Sequence, residues 1–303
     1  MRAGPSDLAT PSRRELYVPR REIPLRIAIP ATLTSDTPHL REKTAKIGLV
    51  GRAAAIFRVD EVVIYEDRPG EGEAELIRAV LAYMEAPQYL RKRLFGLMPE
   101  LRYVGILPPL RTPHHPLRAR IAELLDGELR EGVVVRATRK GCLVDIGVEK
   151  LLLAPGLRAK PNTRMTFVVK REGKNVLLRP ISREDVPYYW GYQVNVIRGG
   201  LKGLFSKAVR PDTLVIGTSR LGQPLGEALS ALRRSLKLAK EILLVFGSPS
   251  EGLYDMARRE GLKLGEHCQL VLNTIPDQGV ATVRTEEAVL ATLAILNILL
   301  LSV

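Results

Sequence analysis

Cysteine is almost absent from this sequence: Cys142 and Cys268 are the only two among 303 residues, and no CxxC pair occurs. A disulfide framework and a cysteine-built zinc site are thereby excluded, and a reducing cytoplasm fits. Histidine is nearly as scarce. His39, His114, His115 and His267 are too dispersed for a metal site or a hydrolytic triad, so no metal is expected. Asparagine and glutamine number five each, beside 46 Lys and Arg and 33 Asp and Glu. Few thermolabile residues among many charges indicate a thermophilic source. Aromatics make up 5%, so aliphatic side chains must fill the core.

Several chemical signatures are also missing. No Walker loop or GxGxxG follows the first apolar run, which argues against an NTPase or a dinucleotide dehydrogenase. HExxH and GxSxG are absent too. Lys46 and Lys202 have no local context that supports a Schiff base. No apolar run reaches the ~20 residues that span a bilayer. The longest, AVLATLAILNILLLSV over residues 288–303, is interrupted by Asn297. It reads as a helix buried on all sides, at a subunit interface, and not as a tail anchor. The first 16 residues lack the apolar core of a signal peptide.

What the chain has in excess is positive charge. The net charge is +13, which attracts polyanions: nucleic acid first, an anionic membrane second. A solvated, arginine-rich surface is the plainer explanation. Residues 130–180 weigh against it, because they hold 12 Lys or Arg against 4 Asp or Glu. A merely solvated surface spreads its charge more evenly.

The pattern of apolar residues divides the chain. Residues 1–22 are rich in Pro, Ser and Arg and read as a flexible basic arm. Over 23–114, LRIAIPATL and VDEVVIYE read as strands, LREKTAKIGLVGRAAAIF and EAELIRAVLAYME as helices, and ELRYVGILPPLRT as a third, short strand. That alternation predicts a parallel sheet covered on both faces. Over 115–185, EGVVVRAT, GCLVDIGV, KLLLAP, MTFVVKRE and NVLLRP predict a small β-barrel of OB type. Over 186–303 the α/β pattern returns, so the α/β domain is interrupted by the barrel and not followed by it. At this junction VPYYWGY packs four aromatics into residues 186–192, either to stack on unpaired bases or to anchor the barrel.

Three strand ends in the last part run straight into small or turn-forming residues: IGTS, VFGSPSEGL and LNTIPDQGVATVRTEEA. Ligands in parallel sheets sit beyond the carboxyl ends of strands, and glycines there let backbone approach a ligand. Each crossing alone is an ordinary turn; three together predict a shared pocket.

VFGSPSEGL and LNTIPDQGVATVRTEEAVLATLAILN, with IAIPATL and VGRAAAIFRVDEVVIYED, resemble the SPOUT-type RNA methyltransferases of archaea and eukaryotes that carry an OB-like insertion. The resemblance covers roughly residues 24–300. It implies an α/β SPOUT domain whose C-terminal part is tucked through a loop as a trefoil knot, a threading that no local rule predicts. It implies S-adenosyl-L-methionine (SAM) as cofactor, RNA (ribosomal or transfer) as partner, and a homodimer; from the short apolar run, no membrane association is expected. SAM would be held by Thr218, Gly247, Ser248, Pro249 and Gly252. The last loop would add Leu272, Asn273, Thr274, Ile275 and Pro276, then Gln278, Gly279, Ala281 and Thr282. Arg52 lies in GLVGRAAAIFRVDEV, similar to the first motif of the ribose-methylating branch, where an Arg helps activate the acceptor oxygen. That branch has Asn six residues earlier, where this chain has Lys46; the departure puts ribose chemistry in doubt and leaves a base nitrogen open, and the resemblance favours a uridine base nitrogen over a ribose 2′-oxygen. Arg52 or Arg284 would stabilise the anion of the acceptor. The competing roles are a surface charge for Arg52 and an ion pair with Glu286 or Glu287 for Arg284. The rival readings of the whole are a non-catalytic RNA-binding protein that dimerises through its knot domain and a DNA-architectural protein, the latter without a helix-turn-helix or wedge motif to support it.

Overall fold

A computed structural model describes residues 17–301 apart from Lys174. They divide into two compact units. The larger is formed by residues 21–85, 99–110 and 192–301. Its sheet has six strands, numbered in chain order: β1 (Leu25–Pro30), β2 (Glu61–Tyr65), β8 (Gln193–Ile197), β9 (Thr213–Pro224), β10 (Glu241–Val245) and β11 (Leu270–Asn273). They lie in the order β11-β9-β10-β1-β2-β8, and every neighbouring pair is parallel.

Strand side chains alternate between faces. Ala28, Leu243 and Val245 join Leu201, Leu204, Leu253 and Met256 in one buried cluster, which places α4 (Gly200–Ala208) and α6 (Leu253–Arg259) over that face. Their alternates Ile27, Ile29, Ile242 and Leu244 are buried as well, so both faces are covered as the apolar runs predict. Arg26, within buried β1, is matched by Glu61, by Glu241 at 2.9 Å and by the Ala208 carbonyl at 2.7 Å. A buried charge needs such company.

α1 (Leu40–Ile56) and α2 (Ala74–Glu85) follow the expected helical spans. α2 buries Leu76, Ile77, Val80, Leu81 and Met84 on one stripe. α5 (Leu225–Leu238) and α8 (Thr285–Leu300) are also where the spacing puts them. α8 is not buried on all sides within this chain. It buries Val289, Leu293, Leu296 and Leu299, while Leu290, Ile298 and Leu301 stay exposed. Asn297 does not break it, because its Oδ1 accepts a 2.6 Å bond from Arg21.

Two other elements depart from the expectation. The strand expected in ELRYVGILPPLRT is two short turns of 3-10 helix, Pro99–Leu101 and Val104–Ile106. β8 occupies the sheet edge beside β2, and Leu107 instead packs into the space that Gly48 leaves by having no side chain. α4 was not expected, since Gly199, Gly200 and Gly203 weaken it. It forms because its apolar face is buried and because Glu260 accepts the first N–H groups, of Leu201 at 3.1 Å and Lys202 at 3.0 Å. Gly203 is required there by the close approach of the Arg198 carbonyl.

The smaller unit is formed by residues 17–20, 86–98 and 111–191. Five strands close into a barrel in the order β3-β4-β5-β7-β6. They are β3 (Leu129–Thr138), β4 (Gly141–Asp145), β5 (Leu152–Pro155), β6 (Arg164–Glu172) and β7 (Asn175–Ile181), and α3 (Gln88–Leu94) belongs to the same unit. Val134, Val144, Phe167, Val169 and Leu178 fill the interior. Of the arm expected over 1–22, residues 1–16 lie outside the described residues. Pro19 pairs with Tyr188, and Arg20 donates its backbone N–H to the Pro187 carbonyl. Of the aromatic cluster, Tyr189 and Trp190 are buried, and Trp190 Nε1 donates to Glu131 at 2.5 Å. Tyr188 rests edge-on against Tyr17, with ring centroids 4.7 Å apart.

Candidate functional site

The three crossings that the sequence singled out meet at the carboxyl ends of β9, β10 and β11, around a cavity of about 290 Å³. This is close to the lower end of the roughly 300–1,000 Å³ usual for ligand pockets. Local hydrogen bonds hold each wall. The loop after β10 is clamped from three sides: Tyr65 Oη donates to the Phe246 carbonyl at 2.5 Å, Thr218 Oγ1 to Val245 at 3.0 Å, and Thr285 Oγ1 to Gly247 at 3.0 Å. Ser248 and Glu251 then close a turn, with the Glu251 N–H donating to Ser248 Oγ at 2.9 Å. A Cβ on Gly247 would lie 3.1 Å from the Glu251 oxygen and 3.2 Å from the Leu253 nitrogen, so this bend tolerates little beyond glycine.

The loop after β11 forms the second wall. Asn273 Oδ1 accepts the Ile275 N–H at 3.1 Å, and Thr274 shares a 2.8 Å bond with Thr292 of α8. Gln278 Nε2 donates to Val280 at 2.8 Å, folding the loop back on itself. The third wall comes from a break in the β9–β11 ladder: Val271 pairs with Gly217, but Leu272 pairs with Gln223. Residues 218–222 therefore leave the register, and 218–221 line the cavity.

The lining is mixed. Leu272, Ile275, Ala281, Val283 and Ala288 offer apolar surface, while Glu251 and Asp255 contribute carboxylates. Burial by itself would raise the Glu251 carboxyl, but hydrogen bonds from Arg259 and Arg68 outweigh it and hold it below the usual carboxylate range. Cys268 is no nucleophile, since burial pushes its thiol up to about 12. No group of three or more His, Cys, Asp or Glu comes together among the described residues, and no described helix is long and apolar enough to cross a membrane.

Thr218, Gly247, Ser248, Pro249, Gly252, Leu272, Asn273, Thr274, Ile275, Gln278, Ala281 and Thr282 all line the cavity; Pro276 and Gly279 do not. Neither expected arginine lines it. Arg52 donates to the Pro109 carbonyl at 3.0 Å. Arg284 precedes α8, its backbone N–H bonded to Glu287 at 2.9 Å, and its side chain forms no ion pair with Glu286 or Glu287. Ser219, Arg220, Tyr254, Asp255 and Thr285 line the cavity without having been foreseen. Ser219 closes the IGTS motif and Arg220 is the residue after it.

A parallel α/β sheet with a cavity at its carboxyl ends, built from main chain, small side chains and two carboxylates, defines a binder of a compact small molecule. The chain belongs to the family described as "Putative RNA methyltransferase", whose model matches residues 24–296. It is an RNA methyltransferase. It is 34% identical to an uncharacterized protein of Halobacterium salinarum over 90% of this chain and 98% of that one. It is 32% identical to the 28S rRNA (uridine-N(3))-methyltransferase of Homo sapiens over 91% of this chain and 78% of the relative. The enzyme of that name from Mus musculus is also 32% identical, over 91% and 77%.

Proposed function

We propose that this chain methylates N3 of a uridine in ribosomal RNA, with SAM as methyl donor held in the cavity at the ends of β9, β10 and β11. The observation that carries the reading is the convergence of all three small-residue crossings on one cavity. The residues present fit such a donor. The apolar wall from Leu272 to Ala288 suits an adenine, and Glu251 and Asp255 supply negative charge beside a sulfonium and an ammonium. When bound, SAM supplies a methyl group already activated by its sulfonium. The chain then has to orient the acceptor, exclude water and stabilise the anion left when N3 loses its proton. The relatives named for uridine N3 methylation, and Lys46 in place of the asparagine of ribose methylation, support a base nitrogen as acceptor.

The same proposal includes a SPOUT-type knot of the C-terminal segment and a homodimer. Leu49, Arg52 and Ile56 share one face of α1 by their spacing. Leu49 is 56% exposed and Ile56 53%, beside Ile298 of α8 at 67%. Apolar side chains at that exposure need a partner, and a second copy of the chain would cover them. Arg52 would then reach the partner's site.

The barrel serves as the RNA-binding module of OB type. Arg136, Arg139, Lys140, Arg158 and Lys160 are exposed and make no ion pair among the described residues. Arg158 also donates to the Thr138 carbonyl at 2.9 Å and to Arg139 at 3.2 Å, which fixes the turn that carries the cluster. The two free, buried cysteines suit a cytoplasmic enzyme.

Nucleoside mass spectrometry of ribosomal RNA from wild-type and deletion cells tests the reading. Loss of 3-methyluridine from the deletion strain, restored by the wild-type gene, is expected. An unchanged 3-methyluridine content would refute it.

A further inference from the structure

Arg220 is the only cation among the described residues that line the cavity. It sits in the stretch 218–222 of β9, where the ladder with β11 is broken. That stretch is fixed and not a slack loop. The Arg220 carbonyl accepts from Asn273 Nδ2 at 3.1 Å, and Ser219 Oγ accepts the Leu221 N–H at 3.1 Å. A Cβ on Gly222 would lie 2.7 Å from the Val271 oxygen, so glycine is required for the chain to turn back into register.

The Arg220 side chain is exposed and spends a single N–H on protein, donating through Nη1 to the Ala281 carbonyl at 2.8 Å. A guanidinium has five donors, so most of its fork is uncommitted. Its neighbours on the two rims are apolar and open to solvent: Leu221 is 68% exposed and Val280 59%. A fixed guanidinium with unused donors, between apolar side chains, at the mouth of a cavity for a methyl donor, matches a planar base with carbonyl oxygens.

We propose that Arg220 is a catalytic residue that binds the target uracil through a carbonyl flanking N3 and stabilises its deprotonated form. The proposal rests on the uridine N3 reading above. In the step, the N3 proton leaves to solvent water and its electron pair remains on the ring, spread onto the flanking oxygens. N3 then forms the bond to the methyl carbon as the carbon–sulfur bond breaks. The electron pair of that bond stays on sulfur, and the sulfonium becomes a neutral thioether. Negative charge on the carbonyl oxygen is largest before methyl transfer completes, which is when a guanidinium acts most strongly.

The test uses the full chain with ribosomal RNA from deletion cells and SAM, comparing wild type, Arg220→Ala and Arg220→Lys. Removing one such donor typically costs about 10²–10³-fold in rate. Arg220→Ala is therefore expected to lose about that much in single-turnover formation of 3-methyluridine, with SAM affinity within about twofold and an unchanged melting temperature. Its rate should keep climbing to higher pH than that of the wild type, because free uracil gives up its proton less readily. Added guanidinium ion should restore part of the rate, and Arg220→Lys should restore less than the native residue. A wild-type rate in Arg220→Ala overturns the proposal. So does a large loss of SAM affinity with no change in the pH profile, which would assign Arg220 to the methionine carboxylate. If the wild type forms no 3-methyluridine, the uridine reading itself has failed, and that outcome is visible without any variant.

Discussion

The ammonium of Lys46 on α1 lies 3.4 Å from the Glu286 carboxylate on α8, and both side chains are only 5% exposed. Asp36 completes the cluster at 2.6 Å from Lys46. Burial would raise the Asp36 carboxyl, but the hydrogen bond and charge of Lys46, with help from the Thr37 hydroxyl, bring it below the ordinary range. Glu286 adjoins Thr285, which holds the Gly247 carbonyl. The residue that departs from the ribose-methylating motif thus braces the helix that forms one cavity wall.

Breaking a buried pair leaves a lone buried charge, which costs roughly 3–5 kcal/mol. Lys46→Met should lower stability by about that much in urea titration and weaken SAM binding in parallel. Stability within 1 kcal/mol of wild type, with the limit taken as roughly the value of an exposed pair, would show that the cluster is not needed.

The Glu251 carboxyl is lowered in the folded state, so its contribution to stability is present above the unfolded value and lost as pH falls through the folded one. Its partners Arg68 and Arg259 are 38% exposed, and screening limits the effect to at most about 1 kcal/mol. Glu251→Gln should be less stable than wild type at pH 7, and thermal melts should converge as pH falls below the ordinary glutamate range. A gap that widens toward acid would contradict the sign.

Leu49→Asp places a charge on the apolar face formed by α1 and α8. Sedimentation should find the wild type dimeric and the variant monomeric at micromolar concentration, with native helix content by circular dichroism. A dimeric variant would move the interface elsewhere.

In the barrel, replacing Arg136, Arg139 and Lys140 together by Ala should lower the slope of log affinity against log salt by about 2 for a single-stranded RNA. Melting temperature should not change, because none of the three holds the barrel together. An unchanged slope would remove the hairpin from the RNA contact.

Much of this was legible locally, for physical reasons that also mark the limit. α2 announces itself because Leu76, Ile77, Val80, Leu81 and Met84 repeat at helical spacing. β1 and β10 do so because both faces are buried and the runs are continuously apolar. α4 was hidden by its glycines, which tertiary burial and the Glu260 carboxylate outweigh. The segment Pro99–Ile106 misled because its apolar pattern suits a strand, while the edge it would need is taken by β8, far along the chain. At the site, turn-forming residues after each strand marked Gly247 and Asn273. Arg220 stayed hidden because its place depends on a ladder break between β9 and β11, a long-range pairing that no short window contains. Arg52 and Arg284 came from motif position, and position along the chain does not say where a side chain ends.

Whether the cavity around Gly247 holds SAM is decided by calorimetric titration of SAM into the wild type and Gly247→Val. The crowding already at 3.1 Å and 3.2 Å around that position leaves no room for a branched side chain. One SAM bound per chain in the wild type, with affinity at least tenfold weaker in the variant, is the predicted result. No binding heat at any temperature from the wild type, or equal affinity in both proteins, would contradict it.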